Sequence, residues 1–300
     1  MLSEKPWRLE PMARLVMSVL LCLFVGSLIL TAVQYFSTGG RMTWKFLLLA
    51  VIAAGLIWVA WVLVQKPWRL EDFRRRIISL LVIFYASMLL GALALNKAGA
   101  DFRLNPTVHT LIGTLSFQGT ALILIWRFLR EHEVSWAGAF GFSNQRLHAV
   151  LIGITAACFF LPVAWGLGKV SEVALHFTRL GLKPEDQIPV QAFRHASGWP
   201  DLLALGVVTI LLVPAAEEML FRGILYPAIK QTGFPRVAFW GTSLLFAGIH
   251  MDRFKFVPLF ALAVILTILY EKTNNLLASI TAHATFNAMN LVVLMEQLAQ

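Results

Sequence analysis

The chain has 300 residues, of which 58% are hydrophobic and only 14% charged, with a formal net charge of +9. Soluble chains carry about 25% charged residues, so this composition excludes a soluble globular protein. The apolar runs recur along the chain, and each is long enough for the roughly 20 residues of helix that cross a bilayer. We therefore predict an all-α fold, a polytopic transmembrane helical bundle of about nine spans.

The predicted spans follow from the apolar runs and lie at approximately 15–36, 44–64, 77–96, 107–128, 148–168, 201–229, 235–250, 256–271 and 274–297. The run that begins at Leu15 is too long for a signal-peptide core, so it predicts an uncleaved first span. With the amino terminus inside, the inner loops hold 14 Lys and Arg residues and the outer loops 10. This bias favours a cytoplasmic N-terminus. We expect a multi-pass protein of the bacterial inner membrane.

The excess positive charge lies mostly in the short loops, which suits contact with the lipid bilayer and its anionic headgroups. No soluble basic face is visible, so we expect no nucleic-acid partner. Cys22 and Cys158 each lie inside an apolar run. This placement predicts small buried hydrophobic residues, and neither a disulfide nor a metal pair.

A six-residue stretch, Lys5-Pro-Trp-Arg-Leu-Glu10, recurs as Lys66-Pro-Trp-Arg-Leu-Glu71. Trp at headgroup level beside Lys and Arg is typical of an interfacial anchor. A duplicated helical hairpin is the other interpretation. We expect residues 1–145 to form N-terminal transmembrane helices with this anchor motif. Residues 146–300 form a second domain, whose polar motifs lie within 214–290.

The longest connection, 169–200, also carries a helical pattern. Its apolar residues at 170, 173, 177 and 180 follow helical spacing, which predicts a short amphipathic helix on the membrane surface. His176 and His195 in this connection are expected to be solvated residues without a catalytic role.

Three ionisable residues lie within one otherwise apolar span: Glu217, Glu218 and Arg222. Each such group near the bilayer centre costs about 2.5–3.5 kcal/mol on insertion scales. Glu218 and Arg222 are four residues apart and share a helix face, so they can form an internal ion pair. Glu217 points about 100° away and is left without that partner. A carboxylate in this position predicts a functional site.

Later spans supply candidate partners for Glu217. Phe246 and His250 end the seventh span, while His283 and Asn287 lie in the ninth. At about 1.5 Å per residue, the glutamate, the two histidines and the asparagine all fall roughly 14–22 Å from the inner ends of their helices. We therefore expect these four side chains to share one layer near the middle of the membrane.

These residue types fit two kinds of chemistry. Glu217 could take a proton from a water that His250 orients, while His283 and Asn287 donate hydrogen bonds to the oxyanion of a tetrahedral intermediate. Peptide-bond hydrolysis then needs no Ser or Cys nucleophile. The same glutamate and two histidines could instead bind zinc and leave a position open for water. The residues alone leave both mechanisms open.

The three motifs resemble those of the CAAX-protease and bacteriocin-processing (CPBP, or Abi) family, which includes the type II CAAX prenyl endopeptidases. The family motif EExxxR matches Glu217-Glu218-Met-Leu-Phe-Arg222, FxxxH matches Phe246-Ala-Gly-Ile-His250, and HxxxN matches His283-Ala-Thr-Phe-Asn287. The resemblance covers roughly residues 200–295. It implies an intramembrane endopeptidase core within residues 146–300.

The resemblance also implies roles. Glu217 would be the general base, His250 would help to hold the water, and His283 and Asn287 would stabilise the oxyanion. Glu218, Arg222 and Phe246 would hold these four residues in position. We favour a metal-free site, because Asn287 is a poor zinc ligand and a good amide donor. Zinc is the alternative cofactor, held by Glu217, His250 and His283.

The expected partner is a membrane-associated peptide or protein: a prenylated CAAX-type tail, a leader peptide or a sorting signal. One alternative is a non-catalytic membrane protein that binds a peptide or gives self-immunity to a bacteriocin. Another is a proton-coupled transporter, because Glu and His chains also serve as proton relays.

Overall fold

The structure is a computed structural model that describes residue 5, residues 10–19, positions 51, 54, 55, 57, 58 and 61, and residues 106–142, 145–177 and 188–299. All regular structure within these ranges is helical, in agreement with the predicted all-α class. Residues 10–19 form a helix near the N-terminus. The later helices are α1 (Pro106–Glu131), α2 (Trp136–Phe140), α3 (Arg146–Phe177), α4 (Ile188–Arg194), α5 (Trp199–Gln231), α6 (Pro235–Ile249), α7 (Phe256–Thr273) and α8 (Leu276–Ala299).

Four helices, α3, α5, α7 and α8, are long and apolar enough to cross a membrane. They coincide with the predicted spans 148–168, 201–229, 256–271 and 274–297, and the protein is thus an integral membrane protein. The predicted spans 107–128 and 235–250 correspond to α1 and to the 15-residue α6. Most of the first two predicted spans, all of 77–96 and the second copy of the repeat lie outside the described residues. The total of nine therefore stays a prediction.

Helix α3 corrects two expectations. Residues 169–177 continue this helix, so the prediction of a separate amphipathic surface helix is wrong. Gly166 and Gly168 do not end the helix, because an interior glycine costs only about 1 kcal/mol relative to alanine. Cys158 is exposed, against the prediction of a buried residue. The buried face of α3 includes Gly153 and Ala157, and Cys158 is the next residue around the helix.

The connection between α3 and α5 contains α4, a short helix that the sequence pattern did not indicate. Its residues Ala192 and Phe193 pack with Leu205 of α5 in a small buried cluster. His195 follows α4, is exposed, and has its Nδ1 2.8 Å from Gln191 O. His176 is exposed in the last turn of α3. Both histidines are thus surface residues, as expected.

Helix α5 is packed on one side by the short helix α2. Gly223 of α5 has no room for a side chain, because a Cβ there would lie 2.5 Å from Cε1 of Phe140. The Phe140 ring is fully buried and belongs to the main hydrophobic core. The turn after α2 is equally tight: Gly141 has φ +74°, and a Cβ there would lie 2.1 Å from Asn274 O. Glycine is required in such a turn.

Candidate active site

Helix α5, which carries both glutamates, has a local irregularity ahead of them. Residues 208–212 form a π-helical turn, in which Val213 N–H donates to Val208 O. In a regular α-helix that N–H would bond to Thr209 O. Pro214 follows and has no N–H to offer. Thr209 O is consequently left without its helical donor.

Asn287 of α8 supplies the missing donor. Its Nδ2 lies 3.0 Å from Thr209 O. Because the amide nitrogen carries two hydrogens, a second donor remains on the same side chain. This contact fixes Asn287 against α5 two turns before the glutamates, and it was not visible as a sequence pattern. The one available signal was Pro214, since a proline within a helix leaves a carbonyl without its partner.

A second π-helical turn, Met219–Leu225, follows the glutamates and again precedes a proline, Pro227. The regular stretch between the two turns, Val213–Glu218, is only six residues long and ends with both carboxylates. Single π turns inside α-helices are frequent at functional sites. The glutamates thus lie on the most irregular of the membrane-spanning helices that the structure describes.

Glu218 is charge-compensated inside the protein. Its Oε1 accepts a hydrogen bond from Arg222 Nη1 at 2.7 Å and lies 3.0 Å from His283 Nδ1. The side chains of Glu218, Arg222 and His283 are 0%, 1% and 4% exposed. Arg222 Nη2 also donates to Ala263 O of α7 at 3.1 Å. The predicted ion pair is confirmed, and its arginine also ties α5 to α7.

Phe246 brings the three sequence motifs together. Its fully buried ring lies 4.4 Å from Arg222 Cζ, a cation–π contact. The same ring has its centroid 4.9 Å from that of His250 and 5.7 Å from that of His283. One residue from each motif therefore surrounds a single phenyl ring. We call Glu218, Arg222, His283 and Phe246 the Glu218 cluster.

Hydrogen bonds orient both imidazoles. His283 Nδ1 faces the Glu218 carboxylate at 3.0 Å, and His250 Nδ1 lies 2.6 Å from Phe246 O. Carbonyl and carboxylate oxygens accept hydrogen bonds, so Nδ1 is the protonated nitrogen in each ring. The Nε2 atoms point away from these bonds. Each imidazole can therefore present Nε2 to a water or a substrate.

Glu217 has a different environment. It is half-buried, and its Oε1 lies 3.5 Å from Nε2 of Gln118, a buried residue of α1. Its Oε2 is buried without a hydrogen-bond partner among the described residues. Among the described residues, no hydrogen bond joins Glu217 to His250 or His283. Gln118 is thus the contact that sequence reasoning missed, since it lies about 100 positions away with no motif around it.

The metal alternative finds no support in this arrangement. Among the described residues, no three His, Cys, Asp or Glu side chains converge closely enough to hold a metal ion. His283 faces Glu218, which is itself paired with Arg222. In this geometry His283 Nδ1 is engaged by Glu218, and the zinc alternative stays a prediction.

The comparisons with known proteins concern this part of the chain. Residues 199–289 match the family model described as type II CAAX prenyl endopeptidase, Rce1-like. The chain is 37% identical over 83 residues to the uncharacterized protein YpbD of Bacillus subtilis (strain 168), an alignment that covers 26% of this chain and 40% of the relative. It is 35% identical over 78 residues to the UPF0177 protein YxdF of Lactococcus lactis subsp. lactis (strain IL1403), covering 26% and 42%.

The chain thus spans less than half the length of either relative, and no solved structure matches it. The family match extends from the start of α5 into α8 and includes all three motifs. It agrees with the resemblance of the motifs to the CPBP family. Residues 199–289 of this chain are therefore a domain of the Rce1-like, type II CAAX prenyl endopeptidase family.

Proposed function

We propose that the protein is an intramembrane endopeptidase that hydrolyses a peptide bond of a membrane-associated substrate, with Glu217 as the general base. One observation carries the proposal. Each of the two adjacent carboxylates has one buried oxygen without a hydrogen-bond partner among the described residues, but Glu218 is paired with Arg222 and His283, whereas the contact of Glu217 is the neutral amide of Gln118. A carboxylate that is not committed to internal pairing is available to accept a proton from water.

The proposed reaction uses the four predicted site residues. Glu217 Oε2 removes a proton from a water held by Nε2 of His250, and the water oxygen forms a bond to the substrate carbonyl carbon. The carbonyl oxygen becomes an oxyanion that accepts a hydrogen bond from the second amide hydrogen of Asn287. His283 adds a second donor at Nε2 when its ring is protonated on both nitrogens, with Nδ1–H still bonded to Glu218. Glu217 then returns the proton to the amide nitrogen as the C–N bond breaks. The products are a carboxylate and an amine.

The supporting residues keep this geometry without touching the substrate. Glu218 holds the His283 ring, and Phe246 separates the two imidazoles by contact with both. The proposed core comprises residues 146–300, and α1 from the preceding region adds Gln118. A prenylated CAAX-type tail is the first substrate to test, followed by leader peptides and sorting signals.

The deciding experiment uses the purified full chain in detergent and a farnesylated CAAX-type peptide with a fluorescent reporter. We expect Glu217→Gln to lower kcat/KM by at least about 100-fold, in the range of general-base contributions. The matched control is Glu172→Gln, which removes a surface carboxylate paired only with Lys169. It should cleave like the parent.

Three outcomes would count against the proposal. A Glu217→Gln variant that keeps more than about a tenth of parental activity, far above the general-base range, removes the general-base assignment. A parent chain that binds the peptide tightly and never cleaves it supports the non-catalytic alternative. Stoichiometric zinc in the purified protein, with activity lost on chelation, would replace the metal-free mechanism.

A further inference from the structure

A recess lies at the C-terminal end of α5, away from Glu217 and Glu218. It is open and shallow, has a volume of about 310 Å³, and is bordered by the ends of α5 and α7 and the start of α6. Its walls combine aromatic and charged side chains, among them Tyr226, Lys230, Arg236, Phe239, Trp240 and Glu271. From Glu218 to Lys230 the helix rises about 18 Å at 1.5 Å per residue. The recess is therefore separate from the site described above.

The charges in the recess do not cancel. Glu271 accepts hydrogen bonds from both Tyr226 Oη and Lys230 Nζ, so the lysine compensates this carboxylate. Arg236 is exposed and has no hydrogen-bond or ion-pair partner among the described residues. Arg236 therefore adds to the lining a guanidinium without a carboxylate partner among the described residues. The N-terminal end of α6, which begins at Pro235, adds a dipole that also favours an anion.

The recess lies at the level of the lipid headgroups. Helices α5 and α7 are both able to cross the membrane, and they end at Gln231 and Thr273, next to the residues that line the recess. A cation at this height faces lipid phosphates, since polar headgroups begin where spanning helices end. The loop between α5 and α6 is on the predicted cytoplasmic side, where anionic lipids attract Lys and Arg.

An aromatic wall connects the recess to the lipid-facing surface. Trp240 is half-exposed, stacks on Phe260 with centroids 6.1 Å apart, and meets Phe239 edge-on at 4.9 Å. Ligand pockets typically hold about 300–1,000 Å³, so the recess is at the small end of this range. It can hold a headgroup but no acyl chains, which would instead lie along the Trp240 side.

We propose that this recess binds the headgroup of an anionic phospholipid, with Arg236 as the principal phosphate contact and Trp240 beside the acyl chains. A guanidinium binds phosphate oxygens in a bidentate way, and amphipathic aromatic rings favour the interface. The bound lipid would hold the ends of α5 and α7 and the start of α6 together at the membrane surface.

Native mass spectrometry of the full chain tests this assignment, with phosphatidylglycerol and phosphatidylcholine supplied at equal concentration. We expect the parent to retain one phosphatidylglycerol and Arg236→Gln to retain at least about fivefold less, from about 1 kcal/mol per basic residue at a membrane surface. The matched control is Arg253→Gln. This exposed arginine follows the opposite end of α6, and its loss should leave retention unchanged.

A second measurement keeps the test independent of folding. Phosphatidylglycerol with brominated acyl chains should quench the fluorescence of the parent more than that of Trp240→Phe. Equal quenching, equal retention by the two arginine variants, or equal retention of both lipids would overturn the assignment. Complete displacement of the lipid by soluble glycerol phosphate would overturn it too, because the recess would then recognise a soluble phosphate.

Discussion

The two adjacent glutamates divide helix α5 into two very different environments. On one side, Glu218 lies in a cluster with a cation, an imidazole and a phenyl ring, all of them nearly or fully buried. On the other side, Glu217 is half-buried, and its hydrogen-bond partner among the described residues is a neutral amide at 3.5 Å. A one-residue step along the chain thus separates a compensated carboxylate from an uncompensated one.

The difference explains why the motif needs two glutamates. A buried charge is stable only when a partner and hydrogen bonds replace its hydration, and Glu218 has both at Oε1, from Arg222 and His283. Glu217 does not, so its charge must be satisfied by water or substrate. Glu218 thereby holds Arg222 and His283 in place, and Glu217 is left for the proposed chemistry.

The largest expected effect comes from removing the ion pair between Glu218 and Arg222. Glu218→Gln should lower the free energy of unfolding by about 3–5 kcal/mol, because Arg222 is left buried and unpaired. Denaturant or thermal unfolding in detergent measures it. The matched control is Glu131→Gln, which removes an exposed pair with Arg127 and should cost less than about 1 kcal/mol. Similar losses in both variants would show that the pair is not structural.

A smaller effect is expected at the contact between α8 and α5. Asn287→Ala should lower kcat by about 10²–10³-fold through loss of an oxyanion donor. It should also cost about 1 kcal/mol of stability, because Thr209 O loses its hydrogen bond. Cleavage of the lipidated peptide and unfolding of the same sample measure the two effects separately.

Asn290→Ala is the control for this substitution. Asn290 lies almost one turn further along α8, where its Nδ2 bonds to Phe286 O and its Oδ1 accepts from Trp165. We expect nearly parental activity. If both asparagine variants lose the same activity, the loss reflects helix packing and Asn287 has no part in the oxyanion site.

The smallest expected effect concerns the contact between Gln118 and Glu217. Gln118→Leu removes the amide that faces Glu217, and we expect kcat to fall about tenfold, as for one hydrogen bond to a charged group. KM should not change, since Gln118 positions the base and does not touch the substrate. Gln231→Leu, which loses a similarly long bond to Lys5 O, should keep the parental kcat. A change in KM alone would contradict the positioning role.

Much of this arrangement can be predicted from short-range patterns in the sequence. The spacing of Glu218 and Arg222 predicts their ion pair, because residues four apart share a helix face. The apolar runs predict α5, α7 and α8 by length alone. Helix depth placed the two histidines and Asn287 in one layer, and the structure brings His283 to Glu218 and Asn287 to Thr209.

Other features depend on contacts between distant segments and leave no local signal. Gln118 carries no motif, and only the packing of α1 against α5 places it beside Glu217. The continuation of α3 through residue 177 was missed because a polar, amphipathic end was read as a separate helix. The π turns were not predicted either, although Pro214 and Pro227 were the residues that require an adjustment of the helix.

The fit of Phe140 against Gly223 bears on where the matched domain begins. The family match starts at residue 199, yet the ring that fills the space beside Gly223, next to the arginine of the ion pair, belongs to a residue almost 60 positions earlier in the chain. A truncated chain that began at 199 would have a ring-sized void in the core beside α5. The packing around the ion pair therefore includes a residue that lies outside the segment recognised by homology.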